Sequence, residues 1–170
     1  MYKELLVKYP EVARFVEQYR PNSLIDWGCA QGKLLQQIKQ DYTFVEKLQG
    51  YDLGNPLYDT VPAGVFECLV SCDVVEHFEP DQLTRLLKLM QSKFSRSAYI
   101  IAACYPAKKT LPDGRNAHLI QENCAWWLDR IQRDFDQCQV VWWQAVDYSN
   151  KLGPRPELRL ILEKRHSVSG

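Results

Sequence analysis

Hydrophobic and polar positions follow two periods along this chain, one typical of strands and one typical of helices. Short apolar or alternating runs bounded by turn residues predict strands at residues 23–27, 48–52, 66–72, 98–104, 139–148 and 158–164. Apolar residues three or four positions apart predict helices at residues 2–19, 33–40, 79 to about 93, and 122–135. Pro10 interrupts the first helical pattern, so that segment forms either one helix or two short ones.

The order of these elements predicts the fold class. Strands alternate with helices, and the run AYIIAAC is apolar throughout, as in a parallel strand covered on both faces. The last two strands are joined by SNKLGPRPE, a connection suited to an antiparallel hairpin. We therefore predict an α/β, Rossmann-like, doubly wound and mostly parallel sheet with an antiparallel last strand. Residues 52–64 and 107–121 are rich in turn residues and are predicted to be loops.

Length and charge narrow the classes of function. With 170 residues, of which 46% are hydrophobic, the chain fits one domain over residues 1–170. Its 21 basic and 21 acidic side chains create no net positive field, so duplex DNA is not an expected partner. No segment is apolar enough to cross a bilayer, and the N-terminal residues mix charges with apolar side chains, so we expect a cytoplasmic protein.

Six cysteines are spread along the chain without a CxxC pair, and most lie in apolar runs such as FECLVSC and YIIAAC. We expect them to be free thiols that act as small hydrophobic side chains, rather than disulfides.

The stretch LIDWGCAQGKLL joins the first predicted strand to a helix and has the pattern Asp26-x-Gly28-x-Ala30-x-Gly32. Its two glycines allow a sharp bend and a close approach of the backbone to a ligand. An acid beside the turn would repel a pyrophosphate, but it could accept hydrogen bonds from a cationic amino-acid group. The alternative is an ordinary tight connection in which Asp26 only caps the helix.

A second acid, Asp52, ends the second predicted strand about 20 residues beyond the glycines, where such folds bind ribose hydroxyls. Its alternative role is that of a turn acid. The segment SCDVVEHF then follows the third strand. Taken in this order, the three features resemble the class I S-adenosyl-L-methionine-dependent methyltransferases. The segment FECLVSCDVVEHFEPDQL is similar to the small methyltransferases of types 11 and 12, and YPAKKTLPDGRNAHLIQENCAWW is similar to a segment of small phage and bacterial methyltransferases of undefined substrate.

The resemblance covers residues 23–104 and implies S-adenosyl-L-methionine as cofactor. The cofactor's methionine part and ribose edge would contact Asp26, Gly28, Cys29, Ala30 and Gly32. Its ribose hydroxyls would contact Asp52, and its adenine would lie beside Tyr51 and Leu53. The rest of the cofactor pocket would be lined by Cys72, Asp73 and Val74.

Two departures from the family pattern concern the same region. Ala30 replaces a common middle glycine, which adds one methyl group. The chain between Asp52 and Phe66 is too short for the usual next helix and strand, so we expect a minimal sheet with one strand fewer. The family's acid for the adenine amine would come from that missing unit, and Asp59 is a substitute by proximity alone.

The acceptor side of the site is less specified. The resemblance places Glu76 and His77 near the transferred methyl, and with His118 they are the candidate catalytic bases, in no firm order. His77 could instead only fill the pocket floor or cap a helix. The loop DGRNAH supplies candidate substrate contacts, namely Asp113, Arg115, Asn116 and His118; its alternative is a simple turn with a solvated Arg115. No metal ligand is expected.

Tandem tryptophans offer further surfaces. Of Trp126 and Trp127, predicted to be helical, at least one is expected in the core. Trp142 and Trp143, predicted on a strand, should face opposite sides, with one inward and the other a candidate homodimer contact.

The acceptor class follows by exclusion. The chain lacks the [DNS]-P-P-[YFW] tetrapeptide of amino-methylating DNA enzymes and any basic stripe, so we expect a small molecule, a sugar or an exposed polymer end. The alternative function is a catalytically inactive S-adenosyl-L-methionine-binding scaffold or a subunit activated by a partner.

Overall fold

Helices and strands alternate in the computed structural model, which describes residues 10–150 and 153–165. The helices are α1 (Pro10–Tyr19), α2 (Lys33–Asp41), α3 (Leu83–Gln91) and α4 (Cys124–Asp134). The strands are β1 (Ser23–Trp27), β2 (Lys47–Tyr51), β3 (Phe66–Cys72), β4 (Phe94–Ala103), β5 (Cys138–Asp147) and β6 (Pro156–Lys164). A short 3-10 helix occupies Val75–His77. Residues 2–9 of the first predicted helix and residues 151–152 of the hairpin connection lie outside the described residues.

The strands form a six-stranded sheet in the order β2-β1-β3-β4-β6-β5. β1 pairs in parallel with both β2 and β3, and β5 pairs antiparallel with β6. The predicted α/β doubly wound sheet with an antiparallel last strand is therefore confirmed. Residues 52–65 contain neither a helix nor a strand, as expected for a sheet that lacks one unit after β2.

The chain divides into two compact units. The first contains the described residues up to Ser71 together with Ser92–Tyr99. Its core includes one face of α1, whose Phe15 ring lies 4.8 Å from Tyr19 and 5.9 Å from Tyr99. Arg96 donates a 2.7 Å hydrogen bond to the carbonyl oxygen of Tyr19, at the carboxyl end of that helix. A cation at this end is favoured by the helix dipole.

The second unit contains Cys72–Gln91 and the described residues from Ile100 onward. Asn123 caps α4 by accepting a hydrogen bond from the amide of Trp126, so the helix begins at the next residue, Cys124. Trp127 is fully buried, so the prediction that one of the tandem tryptophans belongs to the core is confirmed. Division into two compact units does not decide whether they form one domain, so the expectation of one domain over residues 1–170 stays a prediction.

Two predicted starts are wrong by four residues each, and the other boundaries within the described residues differ by at most two residues. α3 begins at Leu83 rather than Glu79, because residues 80–82 form a turn in which the Gln82 amide donates to the Glu79 carbonyl at 2.9 Å. β4 begins at Phe94 rather than Ala98, although Ser95 and Arg96 are exposed. Apolar pattern alone missed this start, since the ladder extends beyond the buried positions.

The expectation that one tryptophan of the β5 pair points into the core is also wrong. Trp142 and Trp143 keep 38% and 53% of their surface exposed. β5 is the last strand of the sheet, and its register shifts between Val140 and Trp142, so neither indole is buried. A dimer contact at this strand stays a prediction.

All six cysteines are free thiols, as predicted. Cys29, Cys68 and Cys138 are buried, and the Sγ atoms of Cys104 and Cys124 lie 3.1 Å apart. Within the part of the chain that the structure describes, no helix is long and apolar enough to cross a membrane.

Candidate functional site

The turn after β1 has an unusual backbone. Gly28, Ala30 and Gly32 all have positive φ angles, of 89°, 48° and 70°. The amides of Gly28 and Cys29 both donate to the carbonyl oxygen of Tyr51, at 2.7 and 3.1 Å, which ties the turn to the end of β2. Glycine adopts this left-handed conformation without steric cost, whereas alanine does so at a cost of about 1–2 kcal/mol. Ala30 therefore needs support from its neighbours.

Asp52 and Asn55 supply that support. Asp52 Oδ2 accepts a 2.8 Å hydrogen bond from the Ala30 amide, and its Oδ1 accepts one of 2.8 Å from the amide of Gly54. Asn55 Nδ2 donates to the Ala30 carbonyl oxygen at 2.7 Å. Both backbone polar groups of Ala30 are thus held by side chains that follow β2. Sequence reasoning missed Asn55, for which the Asn-Pro turn signal at residues 55–56 was the available indication.

Asp26 lies within β1 and is almost completely buried. Burial, and after it the charge of Asp52, raise the pKa of its carboxyl group to about 7. A buried carboxylate is costly unless a cation or hydrogen-bond donors compensate its charge. The role predicted for Asp26, which is to accept hydrogen bonds from a ligand ammonium group, stays a prediction.

Cys29 and Tyr51, both predicted to touch the cofactor, are buried. The Tyr51 ring packs 4.4 Å from that of Trp27. A Cβ added to Gly50 would lie 2.6 Å from the sulfur of Cys29, so the turn packs directly on the backbone of β2. Leu53, by contrast, is 73% exposed and is free to cover a ligand. Cofactor contacts of these residues stay predictions.

A cleft of about 720 Å³ lies in the first unit, between α2, β2 and residues 57–63. Gly32 and Gly50 line the cleft with backbone, and Leu57, Tyr58 and Val61 line it with apolar and aromatic side chains. The Tyr58 ring lies directly against the Cα of Gly32, leaving no room for a side chain there. Gly32 is the turn residue that lines this cleft, and neither Asp26 nor Asp52 is among its lining residues.

In the second unit, the segment that follows β3 places its acids differently. Asp73 has a positive φ of 58°, and its amide donates to the Ile101 carbonyl at 3.2 Å, which anchors the start of the segment. Glu76 is fully buried, and neither of its carboxylate oxygens accepts a well-formed hydrogen bond from any described residue. Burial raises its pKa well above the ordinary 4.5, and the charge of Asp73 adds to this, while the nearby amides of Glu76 and Ala103 oppose it.

His77 and His118 meet beside Glu76. Their rings lie 4.8 Å apart and nearly perpendicular, and His118 Nε2 lies 3.9 Å from Glu76 Oε1. His77 is exposed, whereas His118 is buried, and burial lowers the pKa of His118 below the ordinary 6.5. The structure therefore brings together the three residues predicted as catalytic.

The loop at residues 107–121 is held by its own polar side chains. Asn116 accepts hydrogen bonds from the amides of Ala107 and His118, each at 2.9 Å, and donates to the Ala107 carbonyl. Arg115 forms two 2.8 Å hydrogen bonds with the carboxylate of Glu79 and a third with Asp113. These contacts occupy the polar groups of Asp113, Arg115 and Asn116 within the protein. Substrate contacts by these three residues stay predictions.

No protein-family model and no curated protein matches this chain. Solved structures do match. The methyltransferase domain of a bacterial protein named CtHen1-CN superposes with a TM-score of 0.66 at 13% identity, covering 93% of this chain and 98% of that one. The chain has the class I methyltransferase fold.

Two further structures with the class I methyltransferase fold are similar at the same level. 1,6-Didemethyltoxoflavin-N1-methyltransferase from Burkholderia thailandensis, bound to S-adenosylhomocysteine, gives a TM-score of 0.62 at 12% identity over 92% of this chain and 77% of that one. Coclaurine N-methyltransferase, bound to N-methylheliamine and S-adenosylhomocysteine, gives 0.63 at 11% identity over 92% and 70%. The resemblance inferred from the sequence is confirmed for the fold.

Proposed function

We propose that this protein is an S-adenosyl-L-methionine-dependent methyltransferase. The observation that carries the proposal is the turn after β1, where Gly28, Ala30 and Gly32 have positive φ angles and Asp52 holds Ala30. Together with the buried Asp26, this turn offers an open backbone and a carboxyl group whose ionised form a ligand cation would stabilise. Such a site suits a ligand with an amino-acid group at one end and a ribose in its middle.

The residues present fit this cofactor. Asp26 would accept hydrogen bonds from its ammonium group, Gly28 and Gly32 would allow close approach of its methionine part, and Asp52 would face its ribose hydroxyls. When bound, S-adenosyl-L-methionine supplies an electrophilic methyl group on a sulfonium centre. The protein's contribution to rate is then to orient the acceptor and to exclude water from it.

Acceptor activation is assigned to Glu76, His77 and His118. The Nδ1 atoms of His77 and His118 face backbone carbonyl oxygens, so their Nε2 atoms are free to bind a proton from a hydroxyl or ammonium acceptor. With equal numbers of acidic and basic side chains, the chain favours a small molecule, a sugar or an exposed polymer end over duplex DNA.

A transfer assay with S-adenosyl-L-methionine labelled on its methyl group tests the proposal directly. A panel of hydroxyl- and amine-bearing small molecules, sugars and short oligonucleotides is incubated with the wild type, Asp26→Asn and the control Asp41→Asn, which changes an exposed acid at the end of α2. We expect labelled product from at least one class with the wild type and Asp41→Asn, and a rate at least tenfold lower with Asp26→Asn. Cofactor binding without product from any class would favour the inactive scaffold.

A further inference from the structure

Three side chains that commonly bind metal ions converge in the second unit. One carboxylate oxygen of Glu76 and one ring nitrogen each of His77 and His118 lie within 4.8 Å of one another. Glu76 and His77 belong to the 3-10 helix after β3, and His118 belongs to the loop at residues 107–121. The loop is fastened to the helix because the Ile120 amide donates to the Glu76 carbonyl at 3.0 Å.

Glu76 has the properties of a metal ligand. Its side chain is fully buried, and neither oxygen has a well-formed hydrogen bond among the described residues. The charges of Asp73 and Glu157 act on it with the same sign, so the local field favours a cation. Buried carboxylates in proteins are paired with a positive charge, bound to a metal, or kept neutral.

Both imidazoles contact a backbone carbonyl oxygen through Nδ1. His77 Nδ1 lies 2.7 Å from the carbonyl oxygen of Ala117, and His118 Nδ1 lies 2.5 Å from that of Tyr105. A carbonyl oxygen can only accept, so each Nδ1 carries the proton and each Nε2 keeps its lone pair. Metal-binding histidines in proteins are oriented by this kind of contact from the other ring nitrogen.

The ligand atoms, which lie within 4.8 Å of one another, would have to draw together by up to about 1.5 Å to bind one small tetrahedral ion. Ligand atoms about 2.0–2.2 Å from a tetrahedral ion are about 3.3–3.6 Å apart, and His118 Nε2 lies 3.9 Å from Glu76 Oε1. Two nitrogens and one carboxylate favour zinc or another first-row transition ion over magnesium or calcium, which prefer oxygen ligands throughout. His77 is exposed, so one side of the cluster is open to solvent.

We propose that Glu76, His77 and His118 bind one divalent transition-metal ion, with a coordination position left open for the acceptor. The role of that open position rests on the proposed methyltransferase function, whereas the binding of the ion does not. A hydroxyl bound to the ion would have a lowered pKa and would release its proton to water, leaving an oxygen nucleophile. While the ion is bound, the Nε2 atoms of the two histidines hold it, so the histidines act on the acceptor through the ion and not as bases; without the ion, their Nε2 atoms stay available to take the proton.

Titration of metal-free protein with Co²⁺, followed by visible absorption and calorimetry, tests the site. We expect one Co²⁺ per chain, displaced by Zn²⁺, without the intense near-ultraviolet band of thiolate ligation. Glu76→Gln and the exposed-site variant His77→Asn should bind at least about 100-fold more weakly, since even residues that only orient ligands change affinity 10–100-fold. Glu122→Gln, an exposed acid in the same part of the chain, should bind like the wild type.

Thermal unfolding checks that each variant is folded, and His77→Asn is the decisive one because that side chain is exposed. Absence of saturable Co²⁺ and Zn²⁺ binding by the wild type, or equal affinity of His77→Asn and Glu122→Gln, would overturn the metal site. Calorimetry with S-adenosylhomocysteine on the same metal-free preparation reads the proposed methyltransferase function independently. Metal binding without cofactor binding would support the metal site and contradict the methyltransferase function. Cofactor binding without metal binding would support the methyltransferase function and contradict the metal site.

Discussion

Asp52 accepts a 2.8 Å hydrogen bond from the amide of Ala30, across 22 residues of sequence. This contact holds the one alanine of the turn at a φ of 48°, and Asn55 holds the carbonyl of the same residue from the other side. The acid at the end of β2 thus has a structural task in the protein itself, in addition to the ribose contact proposed for it. The two roles can be separated by experiment.

Ala30→Gly should leave stability unchanged or raise it by up to about 1 kcal/mol. Glycine relieves the left-handed strain of alanine, which partly offsets its greater entropy in the unfolded chain. Ala13→Gly, in the middle of α1, is the matched control and should cost about 1 kcal/mol. Urea denaturation of both variants measures the difference, and a loss at residue 30 as large as that at residue 13 would contradict the strain assigned to Ala30.

Asp52→Ala should lower the free energy of unfolding by about 1–3 kcal/mol. The amides of Ala30 and Gly54 would both lose their acceptor, and each hydrogen bond of this kind contributes about 0.5–1.5 kcal/mol to stability. Asp59→Ala removes an exposed acid from the same segment and should change stability by less than about 0.5 kcal/mol. Equal effects in denaturant titrations would show that Asp52 does not organise the turn.

The raised pKa of Asp26 predicts a pH dependence of stability. Between its ordinary value of 3.8 and about 7, the folded protein binds more protons at this group than the unfolded chain does. The free energy of unfolding should therefore fall as pH rises through this range, by up to about 4 kcal/mol from this group. Asp26→Asn should abolish that fall and be more stable than the wild type above pH 7.

Binding of S-adenosylhomocysteine should respond in the opposite sense. Only ionised Asp26 attracts the ligand's ammonium group, so wild-type affinity should increase as pH rises from 6 to 8. Calorimetry at several pH values should show a weaker and pH-independent affinity for Asp26→Asn over that range. An unchanged affinity in this variant would remove Asp26 from the cofactor site.

The tryptophan pairs predict opposite sensitivities. Trp127→Ala should cost about 3–5 kcal/mol because the side chain is fully buried, whereas Trp143→Ala should cost less than about 1 kcal/mol. Thermal unfolding measures both. Sedimentation of the wild type and Trp143→Ala tests the predicted homodimer contact, which requires a dimer that the variant weakens.

The sequence was sufficient for the order of elements and for the residues of the turn. The bounds of β1 and β3 were predicted without error because turn residues flank their apolar runs on both sides. The start of α3 was misplaced, since the Glu-Pro-Asp signal marks a turn as readily as a first helical turn. The exposure of Trp142 and Trp143 could not be predicted, because strand alternation gives the two faces but not whether another element covers them.

Candidate site residues were also predictable only in part. The motif DVVEH and a histidine 41 positions after His77 suggested a shared site, and the fold brings the three side chains together. Their tautomers depend on the carbonyls of Ala117 and Tyr105, which no sequence pattern identifies. The sequence therefore favoured Glu76, His77 and His118 as general bases without a metal. The contacts of the two rings support our proposal that these residues bind a metal ion.

Calorimetry of S-adenosylhomocysteine binding decides whether this protein binds the methyl-transfer cofactor, because it requires no knowledge of the acceptor. We expect saturable binding of one ligand per chain by the wild type at pH 8, and binding of S-adenosyl-L-methionine at the same site. Absence of binding of either ligand at millimolar concentration, by protein that unfolds cooperatively, would contradict the proposed methyltransferase function.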